Sequence, residues 1–257
     1  MKTPRFPLRA LIGLSLAALA TAVALPAAAG GGPEVARRVA VGGACTDCDL
    51  SNRRMTGVVI SRAVFMRASF RNTDLRASEL TDVHFIDSDL SGADFTGAEL
   101  DRVTLRRTVL IETRFNGAEM MHAQLMDASA SRASFAGADL TGANLSSADL
   151  SGASFRDADL TGANLTGANL SGADFRNADF GRTNLSGANL SRARNLTADQ
   201  LEDACGSGAT QLPRGLTIRP CRTMVVVRPH PAPRAPTPPL PPPAPGRRYI
   251  IAGETAD

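Results

Sequence analysis

The amino-acid sequence predicts an all-β solenoid, a chain wound into stacked coils, and two spacings carry this prediction. Every fifth residue from Leu50 to Leu190 is Leu, Phe, Met or Ile, with Ala130 as the single exception. A helix repeats its apolar face about every 3.6 residues and a strand every 2. A period of five fits neither, and it indicates that the chain turns a corner once in each five-residue unit. A second spacing, of twenty residues, relates five phenylalanines, namely Phe95, Phe115, Phe135, Phe155 and Phe175. Four units therefore form one coil, and the whole repeat makes about seven coils.

A second inward position lies two residues before each large apolar residue, and it is small. It is alanine in most units from Ala93 to Ala188. Alternating small and large side chains fill a narrow cross-section at the density of a protein interior, which leaves no lumen for a substrate. Arg53 breaks this pattern near the start, so we expect the first coil to be irregular there.

The purest part of the repeat, Ala138–Leu145 with the sequence ADLTGANL, resembles the pentapeptide-repeat family, whose consensus is A(D/N)LXX. The resemblance covers about 150 residues. It implies a right-handed quadrilateral β-helix. It implies no catalytic, cofactor or metal residue, because the family motif consists of structural positions and members have unrelated roles.

The first 29 residues have the features of a secretory signal peptide. Three basic residues by position 9 precede an apolar run over 10–25, and small residues follow at 27–29. The run is short and rich in alanine for a spanning helix, so we expect cleavage after Ala29 rather than an uncleaved anchor. No cysteine directly follows the run, which argues against a lipoprotein. The mature chain is then expected in the periplasm or outside the cell, without membrane insertion.

Composition divides the remaining chain into four segments. A lead segment over 30–44 precedes the repeat at 45–195, and a C-terminal cap over 196–222 and a tail over 223–257 follow it. The tail holds ten prolines between positions 229 and 245, so we expect it to be extended and disordered. It serves either as a spacer or as a docking segment.

The cap begins where the five-residue phase slips by one residue. Thr197 and, three residues later, Gln200 form the pattern of a helix capping box. We therefore expect a short helix that runs through Leu201 and Ala204 and stops at Gly206, with its apolar face on the last coil. A repeat array needs such a cap because its last coil otherwise exposes an open edge.

Four cysteines flank the repeat, with Cys45 and Cys48 at its start and Cys205 and Cys221 after its end. In an oxidising compartment the sequence-local pairing, Cys45 with Cys48 and Cys205 with Cys221, would staple both ends of the solenoid. A redox or metal role for the Cys-x-x-Cys motif is an alternative, although no second such motif and no nearby histidine accompany it. Free or cross-chain cysteines are the other alternative.

Charge is divided unevenly along the chain. Residues 45–205 carry 22 Asp and Glu against 16 Arg, whereas residues 206–257 carry seven Arg against two acids. The repeat is mildly acidic and the tail basic, and neither balance is strong enough to indicate a nucleic acid as partner. Some outward positions twenty residues apart alternate in sign, which predicts ion pairs between coils. They are Asp47, Arg67, Asp87, Arg107 and Asp127, and in a second column Arg62, Asp82 and Arg102.

One outward column carries only carboxylates, with no interleaved arginine. Its members are Glu79, Glu99, Glu119, Asp139, Asp159 and Asp179. Like charges that face each other across neighbouring strands are destabilising, and Arg76, Arg156 and Arg176 lie one corner away. The column is either a preference of this repeat position for Asp and Glu, or an anionic stripe that recognises a cationic surface or collects divalent cations weakly.

The sequence contains no nucleophile elbow, phosphate loop or zinc-protease motif, so we expect neither an enzyme nor a cofactor. The function that fits best is a protein-interaction or scaffold rod of the bacterial cell envelope, with a protein partner that the sequence does not identify. The alternative comes from the family resemblance, which implies that an acidic rod of this kind can mimic DNA and bind a type II topoisomerase. The oligomeric state is left open.

Overall fold

The fold is a β-helix, and the computed structural model describes residues 43–221 of it. Three short parallel strands lie near its start, β1 (Ala44–Thr46), β2 (Val64–Met66) and β3 (His84–Ile86). They form one sheet in the order β1-β2-β3, and each strand pairs with the next in a register of twenty residues. The sheet thus has the coil period that the phenylalanine spacing predicts.

Outside these strands, most units contribute a single bridged residue instead of a longer strand. Parallel bridges join residues twenty apart without interruption from the pair Asp49 and Ser69 to the pair Asp174 and Arg194. Backbone hydrogen bonds run to the coils on both sides. For example, Leu140 N donates to the Asp159 carbonyl in the later coil, and Asp139 N donates to the Ala118 carbonyl in the earlier coil. Each coil of twenty residues is therefore held by its two neighbours, as in other solenoids.

The corners hold a backbone conformation that most of their residues do not favour. The second corner residue of every unit from Asp47 to Gly187 has a positive φ, yet only eleven of these 29 residues are glycine. The others include arginine, glutamate and histidine, which rarely adopt left-handed φ values. The amide of the corner residue commonly donates to the next coil, as Arg132 N does to the Ser151 carbonyl at 2.9 Å. The ladder between coils therefore fixes the corners.

The core is a continuous column of side chains along the axis. The large apolar positions from Ile60 to Leu190 are fully buried, Ala130 included, and the small residue two positions earlier is buried in every unit from Ala63 to Ala188. The five phenylalanines predicted to stack do so, with ring centroids 5.0–5.3 Å apart and planes within 11° of parallel. The interior is thus filled by side chains, at the spacing of neighbouring strands.

A four-residue helix, α1 (Ala198–Leu201), begins at the predicted capping box. Gln200 N donates to Thr197 Oγ1 at 3.3 Å, and Thr197 N donates to Gln200 Oε1 at 3.0 Å. The predicted extension of the helix to Gly206 is wrong. After Leu201 the chain turns back into the ladder, where Cys205 bridges Asn184 and its amide donates to the Thr183 carbonyl.

The first coil is regular in its backbone, so the irregularity expected at Arg53 is wrong. Asn52 and Gly57 have the usual positive φ, and Arg54 bridges Asp74. Arg53 occupies an inward position but is exposed, because no described coil lies before it. The end of the rod therefore accommodates a charge that its interior could not.

The predicted signal peptide, nearly all of the lead segment and the proline-rich tail lie outside the described residues. Within residues 43–221, no helix has the length and apolar character needed to cross a membrane.

Candidate interaction surface

The six carboxylates of the predicted column do lie in line. Each is the parallel bridge partner of the next, in the order Glu79, Glu99, Glu119, Asp139, Asp159 and Asp179. Since bridged residues in neighbouring coils are about 4.8 Å apart, the column extends over about 24 Å of one face. Glu99, Glu119 and Asp179 are exposed and the other three are intermediate in burial, so the face carries a continuous row of accessible acids. We refer to these six residues as the acidic column.

The two halves of the acidic column differ in how their carboxylates are held. Oδ1 of Asp139, Asp159 and Asp179 accepts a hydrogen bond from the amide two residues later, at 2.9, 2.8 and 2.7 Å. This contact fixes one oxygen against the turn and leaves the other outward. For Glu99 and Glu119 no described group donates to the carboxylate. The glutamate half therefore presents longer, freer carboxylates than the aspartate half.

No arginine among the described residues forms a salt bridge with the acidic column. Arg76 reaches Asp74 at 2.8 Å and Arg156 reaches Asp174 at 2.8 Å, so both turn away toward the preceding face. The sequence placed these arginines one corner from the column, where they could offset its charge only in part. The side chains of Arg76 and Arg156 are committed elsewhere, while Arg176, the third of these arginines, forms no salt bridge with any described residue. The column is therefore less compensated than the sequence suggested.

Carboxylates at the corners, in contrast, are paired across coils. Arginine donates to the acid twenty residues earlier in three predicted pairs, which are Arg67 with Asp47, Arg102 with Asp82, and Arg107 with Asp87. Hydrogen bonds from these arginines lower the pKa of all three aspartates. A fourth pair, Arg132 with Glu112 at 3.0 Å, has the same spacing and was missed. Of the predicted alternation, Arg62 and Asp127 form no salt bridge with any described residue.

A groove of about 440 Å³ lies on the preceding face and is lined by paired charges. Arg76 hydrogen-bonds Asp74 and lowers the pKa of that aspartate to about 2. Arg114 lies 3.9 Å from Asp94, whose Oδ1 also accepts from Thr96 Oγ1 at 2.6 Å. The groove therefore offers neutralised ion pairs, whereas the acidic column offers unpaired charge.

One buried carboxylate was not identified from the sequence. Asp174 is 2 % exposed and accepts from Asn195 Nδ2 at 2.7 Å and from Arg156 Nε at 2.8 Å. Burial by itself would raise the pKa of Asp174, but the hydrogen bonds from Asn195 and Arg156 outweigh it, and the pKa is lowered. Nearby, Gln200 Nε2 donates to the carbonyls of Phe175 and Ala178, both at 2.8 Å. Together these contacts tie the C-terminal segment to the last coils.

The cysteines lie in the sequence-local arrangement. Cys45 and Cys48 are at disulfide distance with Cα atoms 6.0 Å apart, and Cys205 and Cys221 likewise with Cα atoms 4.7 Å apart. Both pairs lie at the ends of the described region. Within that region, no cluster of three or more His, Cys, Asp or Glu side chains has the geometry of a metal site.

Comparison with protein families matches the repeat over most of its length. The family described as "Pentapeptide repeats" matches residues 123–162 and 153–192 with eight copies, and "Pentapeptide repeat region" matches residues 45–115. The chain belongs to the pentapeptide-repeat family. In a pentapeptide-repeat protein the consensus A(D/N)LXX gives the fold, and it also places Asp or Asn at the position that Asp139, Asp159 and Asp179 occupy; it does not specify the glutamates of the acidic column. No curated protein matches the chain.

Solved structures similar to this pentapeptide-repeat protein come from several sources. A thylakoid-lumen pentapeptide repeat protein of Arabidopsis thaliana is 41% identical over 48% of this chain and 80% of its own, with a TM-score of 0.27. HetL, involved in heterocyst differentiation regulation in the cyanobacterium Nostoc sp. strain PCC 7120, is 29% identical over 63% and 82%, with a TM-score of 0.26. QnrB1, a plasmid-mediated fluoroquinolone resistance protein, is 19% identical over 65% and 90%, with a TM-score of 0.40.

Proposed function

We propose that this pentapeptide-repeat protein is an exported, non-enzymatic interaction rod of the bacterial cell envelope. The acidic column is its binding surface, and the partner is a protein with a basic surface. The rod has about seven four-sided coils, and α1 with the segment after it closes the C-terminal end. The observation that carries the proposal is that no described arginine forms a salt bridge with the acidic column, and that two of the three arginines beside it, Arg76 and Arg156, pair with other acids.

Unpaired like charges in a row cost folding free energy, since each neighbouring pair of exposed like charges is unfavourable by a few tenths of a kcal/mol, about 0.2–0.5. The same protein pairs acids and arginines at its corners in the register that the coils provide. A repeat that can place arginines twenty residues from acids, and does so elsewhere, could have neutralised the column. A cationic partner would remove this cost and gain from complementary potentials.

Export is supported by two independent features. The first 29 residues have the composition of a signal peptide. Both cysteine pairs lie at disulfide distance, which suits an oxidising compartment. A rod with a solid core and paired corner charges offers faces rather than a reaction pocket, and this supports a binding role rather than an enzymatic one.

The test compares two variants that lose the same number of charges. The column variant carries Glu79→Gln, Glu99→Gln and Glu119→Gln, which keep the side-chain shape. The matched control neutralises three exposed acids outside the column, namely Asp127→Asn, Asp157→Asn and Glu202→Gln. Envelope proteins that co-purify with the full chain after chemical cross-linking are quantified by mass spectrometry.

We expect the column variant to lose its cross-linked partners while the control keeps them, and binding of the wild-type chain to weaken as salt rises. Binding by the column variant that equals that of the wild-type chain would show that the acidic column is not the interaction surface. An equal loss in both would show that net charge, and no particular face, governs the interaction.

A second candidate function rests on the same unpaired column. In this alternative the row of carboxylates mimics DNA and binds a type II topoisomerase through an acidic face. Supercoiling of plasmid DNA by the purified topoisomerase, with and without the chain, tests it. Inhibition that the column variant loses would favour this function, whereas no inhibition at a large molar excess of the chain would exclude it.

A further inference from the structure

One face of the rod combines regular strands with accessible apolar side chains. Each of the strands β1, β2 and β3 buries its central residue and turns its two outer residues outward. These six outward residues, which we call the strand face, are Ala44, Thr46, Val64, Met66, His84 and Ile86. Met66 is the one large apolar residue that is exposed among residues 43–221, at 38 %. The strand face contains no acid, lysine or arginine.

Two columns of corner residues with alternating charge border the strand face. The column on one side is Arg62, Asp82 and Arg102, and the column on the other side is Asp47, Arg67, Asp87 and Arg107. The paired side chains in these columns remain 42–62 % exposed. Arg62 forms no salt bridge with any described residue. An apolar centre with a charged, accessible rim is typical of a protein interface.

We propose that the strand face binds the strand face of a second copy of this chain, with the two rods antiparallel. A column that alternates in sign from coil to coil becomes complementary to itself when it is reversed about a point midway between two coils. A two-fold axis parallel to the strands, and midway between β2 and β3, gives this reversal. Arg62 then faces Asp82 of the second copy, and Arg67 faces its Asp87. Further out, Asp47 faces the arginine that follows β3 by one coil, at position 107.

The same axis brings apolar side chains together at the centre of the contact. Met66 faces Ile86 of the second copy, Val64 faces its His84, and symmetry makes each contact twice. Two sheets packed face to face lie about 10 Å apart, which accommodates one layer of side chains from each. Four coils of each copy face each other, and they contribute about 15 outward residues, fewer than the 20–30 of a standard interface. The dimer is therefore expected to be weak and reversible.

Other arrangements of the two strand faces are less favourable. With the rods parallel, Arg62 would face Arg67 of the second copy, and the aspartates one coil later would face each other likewise, which costs free energy. An antiparallel axis that passes through a coil would set Arg67 against itself. A shift of the axis by one whole coil restores opposite charges at the rim, but it sets Ile86 against Arg106. The axis between β2 and β3 satisfies both the rim and the centre.

Analytical ultracentrifugation of the purified full chain over a range of concentrations tests the inference. We expect the wild-type chain to dimerise reversibly. Met66→Lys places a charge at the centre of the contact and should weaken dimerisation at least about tenfold. Met126→Lys, at the same corner position three coils later, is the matched control and should dimerise like the wild type. A wild-type chain that stays monomeric up to about 1 mM, or equal dimerisation by the two variants, would overturn the proposal.

A pair of charge-reversed variants tests the antiparallel register. Arg67→Asp alone or Asp87→Arg alone sets like charges opposite each other at the rim, so each variant should dimerise at least about tenfold more weakly than the wild type. In an equimolar mixture, both aspartates of one variant face both arginines of the other, and the heterodimer should recover the wild-type affinity. Such recovery cannot come from a change in folding, and its absence, with both variants folded by circular dichroism, would overturn the proposal. The column variant should dimerise like the wild type, so this inference holds or fails independently of the proposed function.

Discussion

Replacement of Phe135 by alanine removes the central ring of the phenylalanine column. The ring is fully buried and lies 5.1 Å from Phe115 and 5.0 Å from Phe155, with planes within 7° of parallel. A buried Phe→Ala change costs about 3–5 kcal/mol, and the site determines the value through how well it can collapse. Here the backbone on both sides is held by ladder bonds, such as Phe135 N to the Ser154 carbonyl at 2.7 Å. We therefore expect about 4–5 kcal/mol, since collapse is restricted.

Two controls separate the size of the ring from its stacking. Phe135→Leu keeps most of the apolar volume and should cost less than about 1.5 kcal/mol. Leu145→Ala, between Leu125 and Leu165 in a column of leucines that is equally buried, should cost about 3 kcal/mol. Equilibrium urea unfolding followed by far-UV circular dichroism measures all three. Because each coil contacts only its neighbours, the central cavity should also broaden or split the transition.

A cost below about 2 kcal/mol for Phe135→Ala would refute the reasoning, because a tightly held column cannot lose a ring so cheaply. A cost equal to that of Phe135→Leu would likewise show that the interior relaxes around the change, against the packing described above.

Four further predictions concern charge and cross-links. Asp174→Ala should cost about 2–4 kcal/mol in urea unfolding, because it leaves Arg156 and Asn195 without their acceptor; an unchanged midpoint would contradict this. Since the pKa of Asp174 is lowered by folding, its contribution is present above the ordinary aspartate pKa of about 3.9 and is lost as pH falls below it. The wild-type melting temperature should therefore fall more steeply between about pH 4 and pH 2 than that of Asp174→Asn. Glu99→Gln should stabilise the chain by about 0.2–0.5 kcal/mol at low salt and by less at 1 M salt, and a destabilisation at low salt would argue against repulsion in the column. In a Cys45→Ser/Cys48→Ser variant, reduction of the pair Cys205 and Cys221, separated by sixteen residues, should cost about 3 kcal/mol in a thermal melt, and reductant should have no effect once Cys205 and Cys221 are also replaced by serine.

Much of the architecture was predictable because the spacings of the repeat are fixed along the sequence. The period of five residues predicts the corners, and the twenty-residue spacing of the phenylalanines predicts which residues stack. The order of the residues in the acidic column follows from the same twenty-residue spacing. The pair of Arg132 and Glu112 was predictable in the same way, because the two residues are twenty apart in the sequence.

Other features depend on where long side chains turn, and spacing alone does not determine that. Arg76 stands beside two faces, and only the structure shows it directed to Asp74 rather than to the acidic column. Asp174 occupies an ordinary outward position of its unit, yet it is buried, and Asn195 and Arg156 both donate to its carboxylate. The end of α1 at Leu201 was also not predictable from helix signals, because the ladder recaptures the chain before Gly206.

Export of the rod is the part of the proposal on which its compartment and its partner both depend. Fractionation of expressing cells, followed by N-terminal sequencing of the purified chain, measures it directly. We predict a product in the periplasm or the medium that begins at Gly30. An intact chain beginning at Met1 in the cytosol would contradict an envelope role and would move the topoisomerase alternative to first place.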